Sequence, residues 1–172
     1  MILCIESNQQ EILASVLEVL KEELLQSGIN ARFITFPSDG PFGHQIRVVE
    51  TGRYKLEAVP EHMLRMVDRM DTFLNPHNGL NPNLEKLDCL ILSESQYKEA
   101  LTCDDLEQSQ WIIEINSNIP PIQKMYWLAE NDEPLRVPFK MPLLEAIVSS
   151  SDTTIAIAHS LAENIMNEVK HG

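Results

Sequence analysis

Short apolar runs alternate along the chain with longer amphipathic segments. Five runs are predicted to be strands, at residues 2–6, 31–36, 88–93, 124–129 and 144–148. Residues 2–6 and 88–93 have the nearly continuous hydrophobic pattern of a strand that is buried on both faces. Apolar residues at helical spacing occupy about residues 9–27, 44–50, 60–73, 104–115 and 153–170. This alternation predicts an α/β fold, with three α/β/α layers around a five-stranded parallel sheet. No linker or repeat interrupts it, so residues 1–172 are expected to form a single domain.

The first amphipathic segment has the signals of an ordinary helix. Asn8 and Glu11 are spaced as the N-cap and N3 residues of a capping box, and Gly28 is placed to end the helix in a left-handed conformation. The turn between strand and helix contains neither the glycines nor the lysine of a phosphate-binding loop. The apolar face of this helix consists of Ile12, Leu13, Val16, Leu17, Leu20 and Leu24.

Composition limits the binding partners and the cellular compartment that are expected for the protein. A formal net charge of -13 argues against broad nucleic-acid binding, which needs Lys and Arg to displace counterions, and against binding to an anionic membrane. Cys4, Cys89 and Cys103 form no CxxC pair, which predicts free thiols, with Cys4 and Cys89 buried in strands, in a reducing compartment. The sequence has no apolar run of membrane-spanning length and no signal-peptide pattern, so a cytoplasmic protein is expected. The histidines lack metal-ligand spacing, so no metal is expected.

The loop after the second strand carries a family resemblance. Residues 36–47 read F-P-S-D-G-P-F-G-H-Q-I-R, which is similar to the Phe-Pro step, glycine turn and Gly-x-x-Ile-Arg of thymidylate kinases. Asp68-Arg69 matches the end of the next helix in that family, and the segment from Asp152 resembles its closing helix. The resemblance implies a P-loop nucleotide-kinase-like fold. It also implies a substrate site lined by Phe36, Pro37, Arg47 and Arg69.

A simpler interpretation of the two arginines is local pairing. Arg47 and Arg69 have acidic neighbours in Asp39 and Asp68, and ion pairs with those carboxylates would explain both side chains without a ligand. Two guanidinium groups on adjacent helices nevertheless suit a phosphate or other anion. Both interpretations stand at the level of the sequence.

Several positions depart from the thymidylate-kinase pattern. The spacing from Glu6 to Phe36 aligns with the family without a gap, which places Ile12 at the second glycine of the phosphate loop, Leu13 at its lysine and Ala14 at its magnesium-binding Ser or Thr. Other departures lie further along the chain. They are Ser93-Glu94-Ser95 in place of Asp-Arg-Tyr, a segment of residues 130–143 too short for a lid helix, and Arg65 near the place of the thymine-stacking aromatic.

These departures favour a catalytically inactive thymidylate-kinase-like protein, without catalytic residues or cofactor, that acts by binding in a regulatory, accessory or viral role. The expected partners are another protein or a nucleoside monophosphate. The alternative is a dTMP-type nucleotide kinase, or a related phosphotransferase, with an atypical phosphate site. A third possibility is a subunit that stabilises an active kinase or DNA-modifying enzyme. The resemblance also implies a homodimer, and the apolar positions retained in the corresponding helices are Val48, Val49, Met63, Met66 and Met70.

Overall fold

A computed structural model describes residues 1–7, 10–93, 123–129, 144–148 and 154–171. The first half contains β1 (Ile2–Ser7), α1 (Gln10–Gln26), β2 (Ala31–Thr35), α2 (Pro41–Glu50), α3 (Ala58–Leu74) and a 3₁₀ helix (Asn81–Lys86). The second half contains β3 (Cys89–Ser93), β4 (Lys124–Ala129), β5 (Leu144–Val148) and a helix, α4 (Thr154–His171). The α/β class predicted from the sequence is confirmed. The predicted helix at 104–115 and Asp152, where the segment resembling the closing helix begins, lie outside the described residues.

The strands form one sheet with the order β2-β3-β1-β4-β5. β1 pairs in parallel with β3 on one side and β4 on the other, and β4 pairs in parallel with β5. Leu3, Cys4 and Ile5 of β1 are fully buried, as expected for a strand covered on both faces. Parallel register is defined for these three neighbouring pairs, so parallel pairing throughout all five strands stays a prediction.

One helix start differs from the prediction, and one short helix was not predicted. α2 begins at Pro41 rather than at residue 44, because proline fits the first helical turn, where its missing N–H is not needed. The 3₁₀ helix Asn81–Lys86 falls between two predicted elements, the helix at residues 60–73 and the strand at residues 88–93.

The described residues group into two compact units. One holds those of Met1–Ile34, Glu85–Ser93 and Ile122–Gly172, and the other holds those of Thr35–Leu84. In the first unit, α1 and α4 pack against each other and close an apolar core with the strands. The core residues of the two helices are Leu13, Val16, Leu20, Leu24, Ile157, Ala158, Leu161, Ala162 and Ile165. The single-domain prediction is not tested by this grouping.

The end of α1 confirms the predicted glycine cap. Gly28 has a φ of 74°, a left-handed conformation that costs glycine little. The Ile29 N–H donates to the Leu24 carbonyl at 3.0 Å, and the Gly28 N–H donates to the Leu25 carbonyl at 3.1 Å. These two bonds form a Schellman motif and satisfy carbonyls that the helix leaves open. Asn8 lies outside the described residues, so the capping box stays a prediction.

The two described cysteines are buried free thiols, as predicted. Burial raises the pKa of the Cys89 thiol to about 12, because the thiolate would lose its hydration. Cys103 lies outside the described residues. None of the described helices combines the length and the apolar character needed to cross a bilayer.

Candidate functional site

The second unit assembles the predicted site residues around the loop that joins β2 to α2. Phe36 is buried at the start of this loop, and its peptide bond to Pro37 is cis. Arg47 approaches the loop from α2, and Arg69 approaches it from α3. All four predicted residues therefore meet at the Phe36–Pro37 step.

Arg47 is held by the backbone of the loop. Its Nη1 donates to the Pro37 carbonyl oxygen at 2.8 Å, and its Nη2 lies 3.7 Å from Oδ1 of Asp39. The predicted pairing with Asp39 is present, but Asp39 is fully exposed, so solvent screens the attraction. The Arg47 side chain is 41% exposed, so its guanidinium group can be reached by a dissolved anion.

Arg69 is buried beside the aromatic ring at the start of the loop. Its Cζ lies 5.6 Å from the centroid of the Phe36 ring, within the range of a cation–π contact. The Phe36 ring and the Arg69 guanidinium therefore contact each other at the start of the loop. Phe36 itself is buried, as a core residue would be.

Asp68 is a site residue whose role the sequence did not reveal. It is 1% exposed, and Oδ2 accepts a hydrogen bond from the Ser38 N–H at 2.8 Å, while Oδ1 accepts one from the Ser38 hydroxyl. The same hydroxyl accepts a bond from the Gly40 N–H at 3.1 Å. Ser38 and Asp68 are separated by 30 residues, and no local spacing rule connects them.

The helix α2 packs on this loop through its backbone. A Cβ atom at Gly43 would lie 1.9 Å from the Ser38 carbonyl oxygen and 2.7 Å from the Ser38 nitrogen. No side chain fits between the two segments, so glycine is required here by close approach. Gly43 lies one helical turn before Arg47, and this contact helps to place that arginine at the loop.

Arg65 forms a second connection between α2 and α3. Its Nη2 lies 2.8 Å from Oε1 of Glu50 and 2.9 Å from Oε1 of Glu61, and its side chain is largely buried. Two carboxylates therefore hold the guanidinium group that the resemblance places near the thymine-stacking aromatic. Among the described residues, no cluster of His, Cys, Asp and Glu has a geometry for a metal ion.

The first turns of α1 belong to the other unit and correspond, in the gap-free alignment, to the phosphate loop. Leu13, at the lysine position, is 1% exposed and belongs to the apolar core. Ile12, at the glycine position, belongs to the predicted apolar face but is 38% exposed. Ser93 ends β3 and is buried. Glu94, Ser95 and the short segment at 130–143 lie outside the described residues.

Solved structures of nucleotide kinases have the same architecture. The thymidylate kinase of Candida albicans matches 99% of this chain and 93% of its own, with a TM-score of 0.63 and 13% identity. The thymidylate kinase of Ehrlichia chaffeensis matches 97% of this chain and 98% of its own, with a TM-score of 0.67 and 12% identity. The chain therefore has a thymidylate-kinase-like fold. No protein-family model and no curated protein matches its sequence.

Proposed function

We propose that this protein is a catalytically inactive thymidylate-kinase-like protein that acts by binding. The ligand that we propose for it is a nucleoside monophosphate. The observation that carries the first half of this proposal is the burial of Leu13. A phosphate loop needs backbone N–H groups that converge on the phosphates and a lysine that neutralises them. At the lysine position, this chain has a core residue of the sheet-facing side of α1.

The start of α1 supports the same conclusion. The helix is already regular at Gln10, and the Ser15 hydroxyl donates to the Glu11 carbonyl within it. Glu11 adds a carboxylate to the first turn, where the helix dipole would otherwise attract a phosphate. The aligned position of the magnesium-binding hydroxyl is Ala14, which has no ligand atom in its side chain. Phosphoryl transfer by the usual route would therefore lack the loop that binds the phosphates of the donor nucleotide.

The second half of the proposal is supported by the loop site. Arg47 is exposed on one side and fixed on the other by the Pro37 carbonyl, so little rotamer entropy remains to be lost on binding an anion. A guanidinium group in a fixed direction suits a phosphate, which it can contact with two parallel hydrogen bonds. Phe36 and Arg69 contact each other at the same loop and are both buried. The accessible Arg47 cation beside this arginine–aromatic pair supports a nucleoside monophosphate as the ligand.

We predict that dTMP binds to the wild-type protein and that Arg47→Ala weakens binding about tenfold or more, the effect of losing a charge-assisted hydrogen bond. Calorimetric titration of dTMP into both proteins measures this directly. Arg53→Ala is the matched control, because Arg53 is an exposed arginine just after α2. An absence of binding to the wild type, or equal affinities for all three proteins, would remove the support for a monophosphate site.

We further propose a homodimer formed through α3. Met63 and Val67 are 49% and 39% exposed and lie one helical turn apart on α3, and Tyr54 and Leu56 in the preceding segment are also exposed. Val48, Val49, Met66 and Met70 are half-buried. Light scattering coupled to size exclusion is expected to give twice the chain mass of 19.6 kDa, and Met63→Asp is expected to return it to that mass. A wild-type monomer at micromolar concentration would refute the dimer.

We propose a regulatory or accessory role for this binding protein, in the cytoplasm. The protein would be encoded either by the cell itself or by a virus that infects the cell. The competing proposal is a dTMP-type kinase with an atypical phosphate site. It is favoured by the likeness of fold, which extends over 97% or more of the chain to proteins that are named kinases. A turnover measurement separates the two.

A further inference from the structure

One peptide group connects the buried carboxylate of α3 to the exposed arginine of α2. The N–H of the Pro37–Ser38 peptide donates to Asp68 at 2.8 Å. The C=O of the same peptide accepts from Nη1 of Arg47, also at 2.8 Å. Because a peptide group is planar and rigid, the bond to Asp68 fixes the direction in which the Pro37 carbonyl points. The position of Asp68 therefore determines where Arg47 finds its acceptor.

A second connection runs through the Ser38 side chain. The hydroxyl donates to Asp68 and accepts from the Gly40 N–H at 3.1 Å. Gly40 is the N-cap residue of α2, and Arg47 lies on that helix two turns further on. Through Ser38, Asp68 is thus connected to both ends of the Arg47 side chain. One end is the start of the helix that carries Arg47, and the other is the carbonyl that accepts from its guanidinium group.

The burial of Asp68 makes these bonds strong. At 1% exposure its carboxylate has exchanged water for two protein donors, and bonds to a charged acceptor are about twice as strong as neutral ones. Hydrogen bonds that share a peptide group also polarise one another. Removing the charge at Asp68 is therefore expected to weaken the bond between the Pro37 carbonyl and Arg47, although Asp68 is not placed in contact with that arginine.

We propose that Asp68 is a positioning residue that holds the Arg47 guanidinium in its ligand-binding direction through Ser38 and the Pro37 carbonyl. As an effect on affinity, this rests on the proposed function of the site. As a statement about Arg47, it stands on the geometry alone. The charged groups adjoining this chain of bonds are Asp39 beside Arg47, Arg69 next to Asp68 in sequence, and Asp71 near Gly40.

The test compares Asp68→Asn with Asp71→Asn. The second substitution makes the same change of charge on the same helix, at a carboxylate that accepts a hydrogen bond from the Asn75 side chain instead. Nitrogen-15 NMR of the Arg47 side chain, assigned with Arg47→Lys, measures rotation of the guanidinium group. Asp68→Asn is expected to accelerate that rotation at least fivefold, and Asp71→Asn to leave it within twofold of the wild type. Equal rotation in Asp68→Asn and the wild type overturns the proposal.

The dTMP affinities give the second measurement. Asp68→Asn is expected to weaken binding about tenfold, and adding Arg47→Ala to it is expected to change the affinity less than twofold further, because both substitutions remove the same interaction. Independent, multiplicative losses would mean that Asp68 acts through stability alone. If the wild type does not bind dTMP, the proposed function fails, but the rotation measurement still decides the positioning role. If Asp68→Asn does not fold, Ser38→Ala carries the rotation test, with the same outcome required.

Discussion

Leu13→Lys is expected to lower the free energy of unfolding by roughly 4–7 kcal/mol, since a fully buried lysine can shift its pKa by about 3–5 units and each unit is worth about 1.4 kcal/mol. Leu13 is 1% exposed and packs in the core with Val16, Leu20 and the strands. The lysine that defines a phosphate loop would therefore enter an apolar core. The substitution is expected to threaten the fold and to leave ATP binding absent.

Urea denaturation of Leu13→Lys and Ile12→Lys measures this contrast on neighbouring residues. Ile12 is 38% exposed, so its lysine can reach water, and the expected loss is about 1 kcal/mol or less. Leu13→Met, which nearly conserves volume, is expected to cost less than about 1.5 kcal/mol. A stable Leu13→Lys protein that gains affinity for ATP–Mg²⁺ would show that a phosphate loop survives in this turn, contrary to the proposed function.

Gly43→Ala is expected to be the second severe substitution. The added Cβ would lie 1.9 Å from a backbone oxygen of Ser38, so α2 and the loop must separate by more than 1 Å. Overpacking usually costs about 1–3 kcal/mol and occasionally more, and a clash between two backbones places this case at the upper end. Because Arg47 lies one turn further along α2, its bond to the Pro37 carbonyl is expected to break as well.

Thermal or urea unfolding and dTMP titration together test this expectation. Gly28→Ala is the control, since Gly28 has a left-handed φ of 74° with no atom near its Cβ direction. It is expected to cost about 1 kcal/mol from backbone conformation and to leave dTMP affinity unchanged. If Gly43→Ala behaves like Gly28→Ala in both measurements, α2 does not need its close contact with the loop.

Local patterns in the sequence predicted much of the fold. Continuous apolar runs identified the buried strands, because a strand covered on both faces leaves no polar alternation. The glycine cap at Gly28 was predictable because few other residues tolerate that conformation. Ile12 belongs to the predicted apolar face of α1 but is not among its buried residues, because a face drawn from hydrophobicity alone is wider than the stripe that is buried.

Only part of the candidate site could be predicted from the sequence. Phe36, Pro37, Arg47 and Arg69 were proposed from a family resemblance, and spacing alone would not have joined residues from a loop and two helices. The Asp68–Ser38 bond was missed because it depends on how α3 packs beside the loop. The contact at Gly43 was missed for the same reason, since a glycine within a helix has no local signature of close approach.

Turnover of dTMP by the purified protein tests the central claim most directly. Protein in molar excess over radiolabelled dTMP, with saturating ATP–Mg²⁺, is followed by separation of dTDP from dTMP over several hours. Because Ile12 and Leu13 replace the glycine and lysine of the phosphate-binding loop, we expect no dTDP above the protein-free control. We expect dTMP still to bind in calorimetry. Formation of dTDP in proportion to the protein, abolished by Arg47→Ala so that a contaminating kinase is excluded, would contradict the claim and establish an active kinase.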